Sequence, residues 1–98
     1  MSKTILKELK INNLTALEQI NLSWLYPLRK LSITNCQSLN LIERKEMRLN
    51  YSKQSTNDIE INNLPKLKIL NLNKLPFSST KKIKKLSSIK RIEMLDCN

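Results

Sequence analysis

Apolar side chains recur along this chain in one spacing: a first residue, then others three, five and eight positions on, with the set starting again every eleven residues. Leu6, Leu9, Ile11 and Leu14 make the first copy, Leu17, Ile20, Leu22 and Leu25 the second, and Leu28, Leu31, Ile33 and Cys36 the third. A weaker copy opens at Leu39, with Ile42 and Met47 in place and Arg44 where an apolar residue is expected. The phase then slips by six across the polar stretch NYSKQS, residues 50–55. It returns with Thr56, Ile59, Ile61 and Leu64, followed by Leu67, Leu70, Leu72 and Leu75. The copy at Ser78 keeps only Ile83 and Leu86, and the last holds Ile89, Ile92, Met94 and Cys97. Self-similarity at a fixed period is the signature of a repeat architecture, in which each unit buries its apolar side against its neighbours.

Within a copy, the apolar residues at positions 4 and 6 flank a polar one, which predicts a strand with positions 3, 5 and 7 facing outward. Positions 1 and 9 fill the interior as the chain turns. The chain has no glycine, so the turns must place other residues in the left-handed region, and Asn12, Asn13, Asn35, Asn62, Asn63 and Asn73 are the candidates. The prolines of Tyr26-Pro27, Leu64-Pro65 and Leu75-Pro76 fall between or just after template cores, where a missing N–H does least harm. Residues 79–87, STKKIKKLS, begin with the N-cap candidates Ser79 and Thr80 and carry Ile83 and Leu86 three apart. That spacing predicts a short helix or 3₁₀ turn. EMRLNY, 46–51, is a candidate for an additional strand.

The best copies, LRKLSITNCQSL at 28–39, LKILNLNKL at 67–75 and IKRIEMLDCN at 89–98, resemble the leucine-rich repeat family, and the likeness covers nearly the whole chain. The resemblance implies coils of about 20–29 residues, so two eleven-residue segments make one coil, a strand on one face and a return segment on the other. The expected class is α/β: a leucine-rich-repeat-like solenoid, a horseshoe segment of about four coils of 22 residues. It would be β-rich with short helical or 3₁₀ convex turns, and one domain would span 1–98. The ninth position in the family is Asn or Cys, bonding backbone groups inside the turn. Cys36 and Cys97 sit there, whereas Leu14, Leu25 and Leu75 depart from it. Copies starting at 6, 28, 67 and 89 match best; if they form the concave sheet, residues 39–66 must supply an irregular coil, and the pattern leaves the choice of copies open.

Composition narrows the chemistry. Eighteen Leu and eleven Ile stand with no Val, and fourteen Lys and twelve Asn accompany them. The Lys/Asn/Ile excess is in keeping with an AT-rich genome and accounts for part of the net charge of +10. The absence of Gly removes phosphate-cradling and dinucleotide-binding loops. The absence of His removes the imidazole base, the Ser–His and Cys–His nucleophile pairs and mixed Cys/His zinc sites. Cys36 and Cys97, 61 residues apart, read as buried free thiols rather than redox or catalytic groups. Ser78-x-x-Lys81 and Ser79-x-x-Lys82 match a Ser–Lys spacing, but no companion motif accompanies them. No catalytic residue, cofactor or metal is expected. The start of the chain carries no apolar signal-like stretch, and no run reaches the ~18 apolar residues of a membrane span. An intracellular setting is the expectation.

The resemblance implies a non-enzymatic protein-interaction scaffold that recognises its partner with the exposed strand positions of the concave face. On this sequence they are Glu8, Lys10 and Asn12; Lys30, Ser32 and Thr34; Asn71 and Asn73; Arg91 and Glu93. Lys10, Lys30 and Arg91 would favour an acidic partner. Residues 81–91, KKIKKLSSIKR, raise an alternative: Lys81, Lys82, Lys84, Lys85, Lys90 and Arg91 form a basic run without an acid, suited to nucleic acid or an anionic surface. The bland alternative is a solvated face. Trp24, Tyr26, Tyr51 and Phe77 are the only aromatics, and Trp24 and Tyr26 serve equally as interface anchors or as cover for the core edge. Since the template runs from Leu6 to the end with no polar cap, the chain reads as part of a longer solenoid or relic of one, a self-associating unit, or a marginally stable one.

Overall fold

Each of the eight sequence copies forms one β-strand. The computed structural model describes residues 8–23, 29–44, 56–73 and 77–94. Its strands are β1 Glu8–Asn12, β2 Gln19–Asn21, β3 Lys30–Thr34, β4 Leu41–Glu43, β5 Thr56–Asn62, β6 Ile69–Asn71, β7 Phe77–Lys84 and β8 Arg91–Glu93. They sort by parity into two four-stranded parallel sheets, a long-strand sheet in the order β1-β3-β5-β7 and a short-strand sheet in the order β2-β4-β6-β8. The chain therefore passes from one sheet to the other and back in every coil.

The register supplies the physical meaning of the period. Glu8 pairs with Lys30, Gln19 with Leu41, Asp58 with Thr80 and Ile69 with Arg91, each pair 22 residues apart. Lys30 pairs with Asp58 and Leu41 with Ile69, 28 apart, so the six-residue phase slip is absorbed between the second and third coils. Backbone bonds carry the ladder through the connections as well. Asn40 N donates to Glu18 O at 2.8 Å, Lys68 N to Asn40 O at 3.0 Å and Lys90 N to Lys68 O at 2.8 Å.

Stacking at this register turns each inward template position into a column. Leu31, Ile33, Leu39 and Ile42 of the second coil and Ile59, Ile61, Leu64, Leu67, Leu70 and Leu72 of the third are completely or almost completely buried. Residues of the outer coils, among them Leu9, Ile11, Leu17, Ile83, Leu86, Ile89 and Met94, pack on this core but remain partly exposed. Leu14 and Ile92, at 48% and 49% exposure, are the most open large apolar residues described. Arg44, at the position expected to be apolar, is buried at 3% exposure with Leu22 and Leu72 as its column mates. Its aliphatic stem suits such a column, and its Nη1 donates to Leu22 O at 2.8 Å.

The long and short strands end differently because their turn chemistry differs. After each long strand the eighth template position has positive φ: Asn13 at 59°, Asn35 at 54°, Asn63 at 58° and Lys85 at 58°. Asn tolerates this region better than most residues, and Asn63 Nδ2 donates to Asn35 Oδ1 of the neighbouring coil at 2.8 Å. Asn12, Asn62 and Asn73, the other candidates, keep negative φ. Two of the short strands, β2 and β6, stop where Asn21 Oδ1 accepts from Ser23 N at 2.8 Å and Asn71 Oδ1 from Asn73 N at 3.0 Å, an Asx-type turn that withdraws the backbone from the ladder. Leu67 N donates to Leu64 O at 3.1 Å and Ile89 N to Leu86 O at 3.3 Å. These four-residue turns close the corners, and Pro65 takes the second position that proline favours.

Three expectations change. The described residues contain no helix, so the class is all-β rather than α/β with helical convex turns. Residues 79–84 lie in β7, which pairs with β5 without interruption from Thr80 to Lys84, after a register shift that separates this run from the Thr56–Phe77 pair; Ile83 and Leu86 are sixth and ninth template positions, not neighbours on a helix face. Copies 67 and 89 belong to the short-strand sheet, while the weaker copies 56 and 78 complete the long-strand one. Residues 39–66 are accordingly not an irregular coil throughout, since β4 and β5 lie within them. The strand expected at 46–51, the polar stretch 50–55, Trp24, Tyr26, Tyr51 and Cys97 fall outside the described residues.

Lys85 is the odd member of the left-handed column. Lys85→Asn is expected to stabilise the fold by about 0.5–1 kcal/mol, read from the urea midpoint, and Lys85→Ala to leave it nearly unchanged. Ile61→Ala, in the buried column, is expected to lose about 2–5 kcal/mol in the same experiment.

Candidate functional site

Positions 3, 5 and 7 of each long strand alternate with the buried positions 4 and 6, so they share the outer face of the long-strand sheet. Its rows read Glu8, Lys30, Asp58; Lys10, Ser32, Glu60, Lys82; and Asn12, Thr34, Asn62, Lys84. Lys30 lies between Glu8 and Asp58, and Glu60 between Ser32 and Lys82. Opposite charges directly across neighbouring strands contribute roughly 0.2–1 kcal/mol each, so this charge pattern also favours the observed register. Thr34 Oγ1 donates to Asn12 Oδ1 along the third row. A shallow depression in the face is lined by Lys10, Lys30, Ser32, Asp58, Glu60 and Lys82.

Of the residues expected to form one binding face, Glu8, Lys10, Asn12, Lys30, Ser32 and Thr34 do share it. Asn71, Arg91 and Glu93 lie on the short-strand sheet, with Asn73 just beyond β6. That second group is tied to itself: Arg91 Nε meets Glu93 Oε2 at 3.1 Å, and Asn73 Nδ2 donates to Glu93 Oε1 at 3.4 Å. The expected face therefore divides between two sheets. Asp58, Glu60 and Asn62, which complete the long-strand face, were not expected on it. The phase that places Thr56 at a copy start also assigns them positions 3, 5 and 7, so the parity of the copies is the signal that identifies them.

The basic residues also separate. Lys82 and Lys84 are exposed on the long-strand face, Lys85 occupies the turn, and Lys90 and Arg91 follow beyond the Ser87-Ser88 corner. Lys81 pairs with Ile59 in the register, at a position where the other coils have Leu9, Leu31 and Ile59; its side chain is outside the described residues.

Cys36 is a buried free cysteine with zero exposure. Its Sγ lies 3.4 Å from Thr34 O and 3.9 Å from Ile11 O, so the thiol donates to backbone carbonyls inside the corner and has no route to a solution substrate. Among the described residues no group of three His, Cys, Asp or Glu side chains could hold a metal ion, and no helix is long and apolar enough to cross a membrane. No protein-family model, curated protein or solved structure matches the chain.

In a Cys97→Ala background, Cys36 is expected to resist maleimide labelling in the native protein and to react at once in urea. Prompt native labelling would place this thiol at the surface and contradict its assignment to the corner interior.

Proposed function

We propose that the chain is a non-enzymatic protein-interaction scaffold of the leucine-rich-repeat type, and that the outer face of its long-strand sheet receives the partner. The observation that supports this reading is an uncovered face. Parallel sheets ordinarily have both faces packed over, yet on the outer side of β1, β3, β5 and β7 the side chains of Glu8, Lys10, Asn12, Lys30, Lys82 and Lys84 are exposed. A repeat scaffold uses such a surface because stacked coils present one side chain per strand at fixed spacing. The eleven-residue copies and the family-like segments point the same way, with an intracellular setting.

The charge arrangement refines the kind of partner. The described face sets Lys10, Lys30, Lys82 and Lys84 against Glu8, Asp58 and Glu60. Such a nearly balanced surface selects a partner of complementary mixed pattern rather than a uniformly acidic one, through matched pairs and through the penalty on mismatched ones.

Affinity capture from lysate of the source cells, with quantitative mass spectrometry, tests the reading. Ser32→Arg with Lys30→Ala, at the centre of the face, is expected to reduce a specifically retained protein at least tenfold; Gln19→Arg on the short-strand sheet should retain it. Equal retention by both variants, each shown by its thermal melt to be folded, would reject the long-strand face as the interface.

A further inference from the structure

The corner that carries the chain from the long-strand sheet to the short-strand sheet shows a charge gradient along the stack. In the first coil it holds one charged residue, Glu18, and in the second, at 35–40, none. In the third coil Lys66 and Lys68 are exposed, and in the fourth Lys85 and Lys90 are exposed, with no acid in either corner; Lys84, the last residue of β7, is exposed at the edge of the fourth. Folding joins these two groups. Asn63 N donates to Lys84 O at 3.2 Å, Leu64 N to Lys85 O at 3.2 Å and Lys90 N to Lys68 O at 2.8 Å. Ser88 Oγ ties the coils together by donating to Pro65 O at 2.6 Å. Five lysines from two stretches of chain thus lie on adjacent coils about 4.8 Å apart. Beside them runs a groove whose lining includes Asn13, Thr15, Asn35, Gln37, Ser38 and Asn63.

We propose that this corner binds the sugar–phosphate backbone of a nucleic-acid duplex, without regard to sequence. Lysine together with Asn, Gln, Ser and Thr is the donor set that contacts phosphate oxygens in such complexes. The described corners hold no aromatic side chain, and their large apolar residues are buried apart from Leu14 and the partly exposed Leu17 in the first coil and the partly exposed Leu86 and Ile89 in the fourth, so they lack the aromatic anchors enriched at the core of a protein interface. They also lack the rings on which single-stranded bases stack. Lysines on an edge strand guard against unwanted strand pairing, which accounts for Lys82 and Lys84 on β7. It does not account for Lys66 and Lys68, which belong to an interior coil and a turn. The surface adjoins the long-strand face at Lys84, the last residue of β7, and its other four lysines lie outside that face; it does not depend on the scaffold reading.

The test is fluorescence anisotropy of the full chain with an end-labelled 20-base-pair DNA duplex of mixed sequence, from 50 to 200 mM KCl. With five lysine–phosphate contacts, log K is expected to fall against log salt with a slope of about −4 to −5. Lys66→Gln with Lys85→Asn and Lys90→Gln should weaken binding at least tenfold at the lowest salt and reduce the slope by about three, one per lysine removed. Lys10→Gln with Lys30→Gln and Lys82→Gln removes the same charge from the long-strand face and should change affinity less than threefold. Absence of duplex binding by the unaltered chain at 50 mM salt overturns the proposal, as does equal loss in the two triple variants. Competition by polyglutamate as strong, charge for charge, as by unlabelled duplex also overturns it, in favour of an acidic protein ligand.

Discussion

Backbone hydrogen bonding between residues one coil apart is the constraint on which the rest of this structure depends. Once Glu8 is fixed beside Lys30 and Lys30 beside Asp58, every template position lies above its counterpart. The interior becomes columns of Leu and Ile, and the outer rows acquire their charge order. A slip of one residue would turn Leu31, Ile33, Ile59 and Ile61 outward together. The apolar columns resist that slip from inside the coil, and the alternation of Glu8, Lys30 and Asp58 favours the same register from outside.

Maintaining the stack without glycine places a specific demand on the corners. One residue per long segment must adopt positive φ at the same height, and the first three coils use Asn13, Asn35 and Asn63. The fourth uses Lys85, which gives up local backbone preference and places a cation at the corner where Lys66, Lys68, Lys84 and Lys90 also gather. A residue that fits its backbone poorly but adds charge to a cluster is the kind of local conflict that functional surfaces tolerate. The buried Arg44 is a second conflict, accommodated by its bond to Leu22 O.

Much of the architecture was legible because it depends on spacing. The eleven-residue copies place a strand in each segment, the slip before Thr56 appears as the 28-residue register between β3 and β5, and Asn13, Asn35 and Asn63 take the turn conformation expected of them. What spacing did not reveal was membership. Ranking the copies by how well they matched drew together segments 6, 28, 67 and 89, whereas strand pairing follows parity and unites 6, 28, 56 and 78. The expected face consequently divides: Lys10 and Lys30 lie on one sheet and Arg91 on the other. The helical reading of 79–87 rested on two apolar residues three apart, a weak local signal beside the unbroken pairing of Thr80–Lys84 with β5. The gathering of Lys66 and Lys68 with Lys84, Lys85 and Lys90 had no local signal, because it is produced only by stacking.

The mixed face of the long-strand sheet and the lysine corner next to it both exist only if the third coil lies on the second in the stated register. Disulfide trapping tests this directly, in a Cys36→Ala and Cys97→Ala background. Ser32→Cys with Glu60→Cys joins residues paired between β3 and β5, at a separation of about 4.8 Å that falls within the range a disulfide bridges. Ser32→Cys with Asn62→Cys is two residues out of register, at about 7–8 Å. Rapid, nearly complete oxidation of the first pair, with little in the second, is the predicted result. Equal oxidation of both pairs, or preferential oxidation of the second, would contradict the stacked register and with it both proposed surfaces.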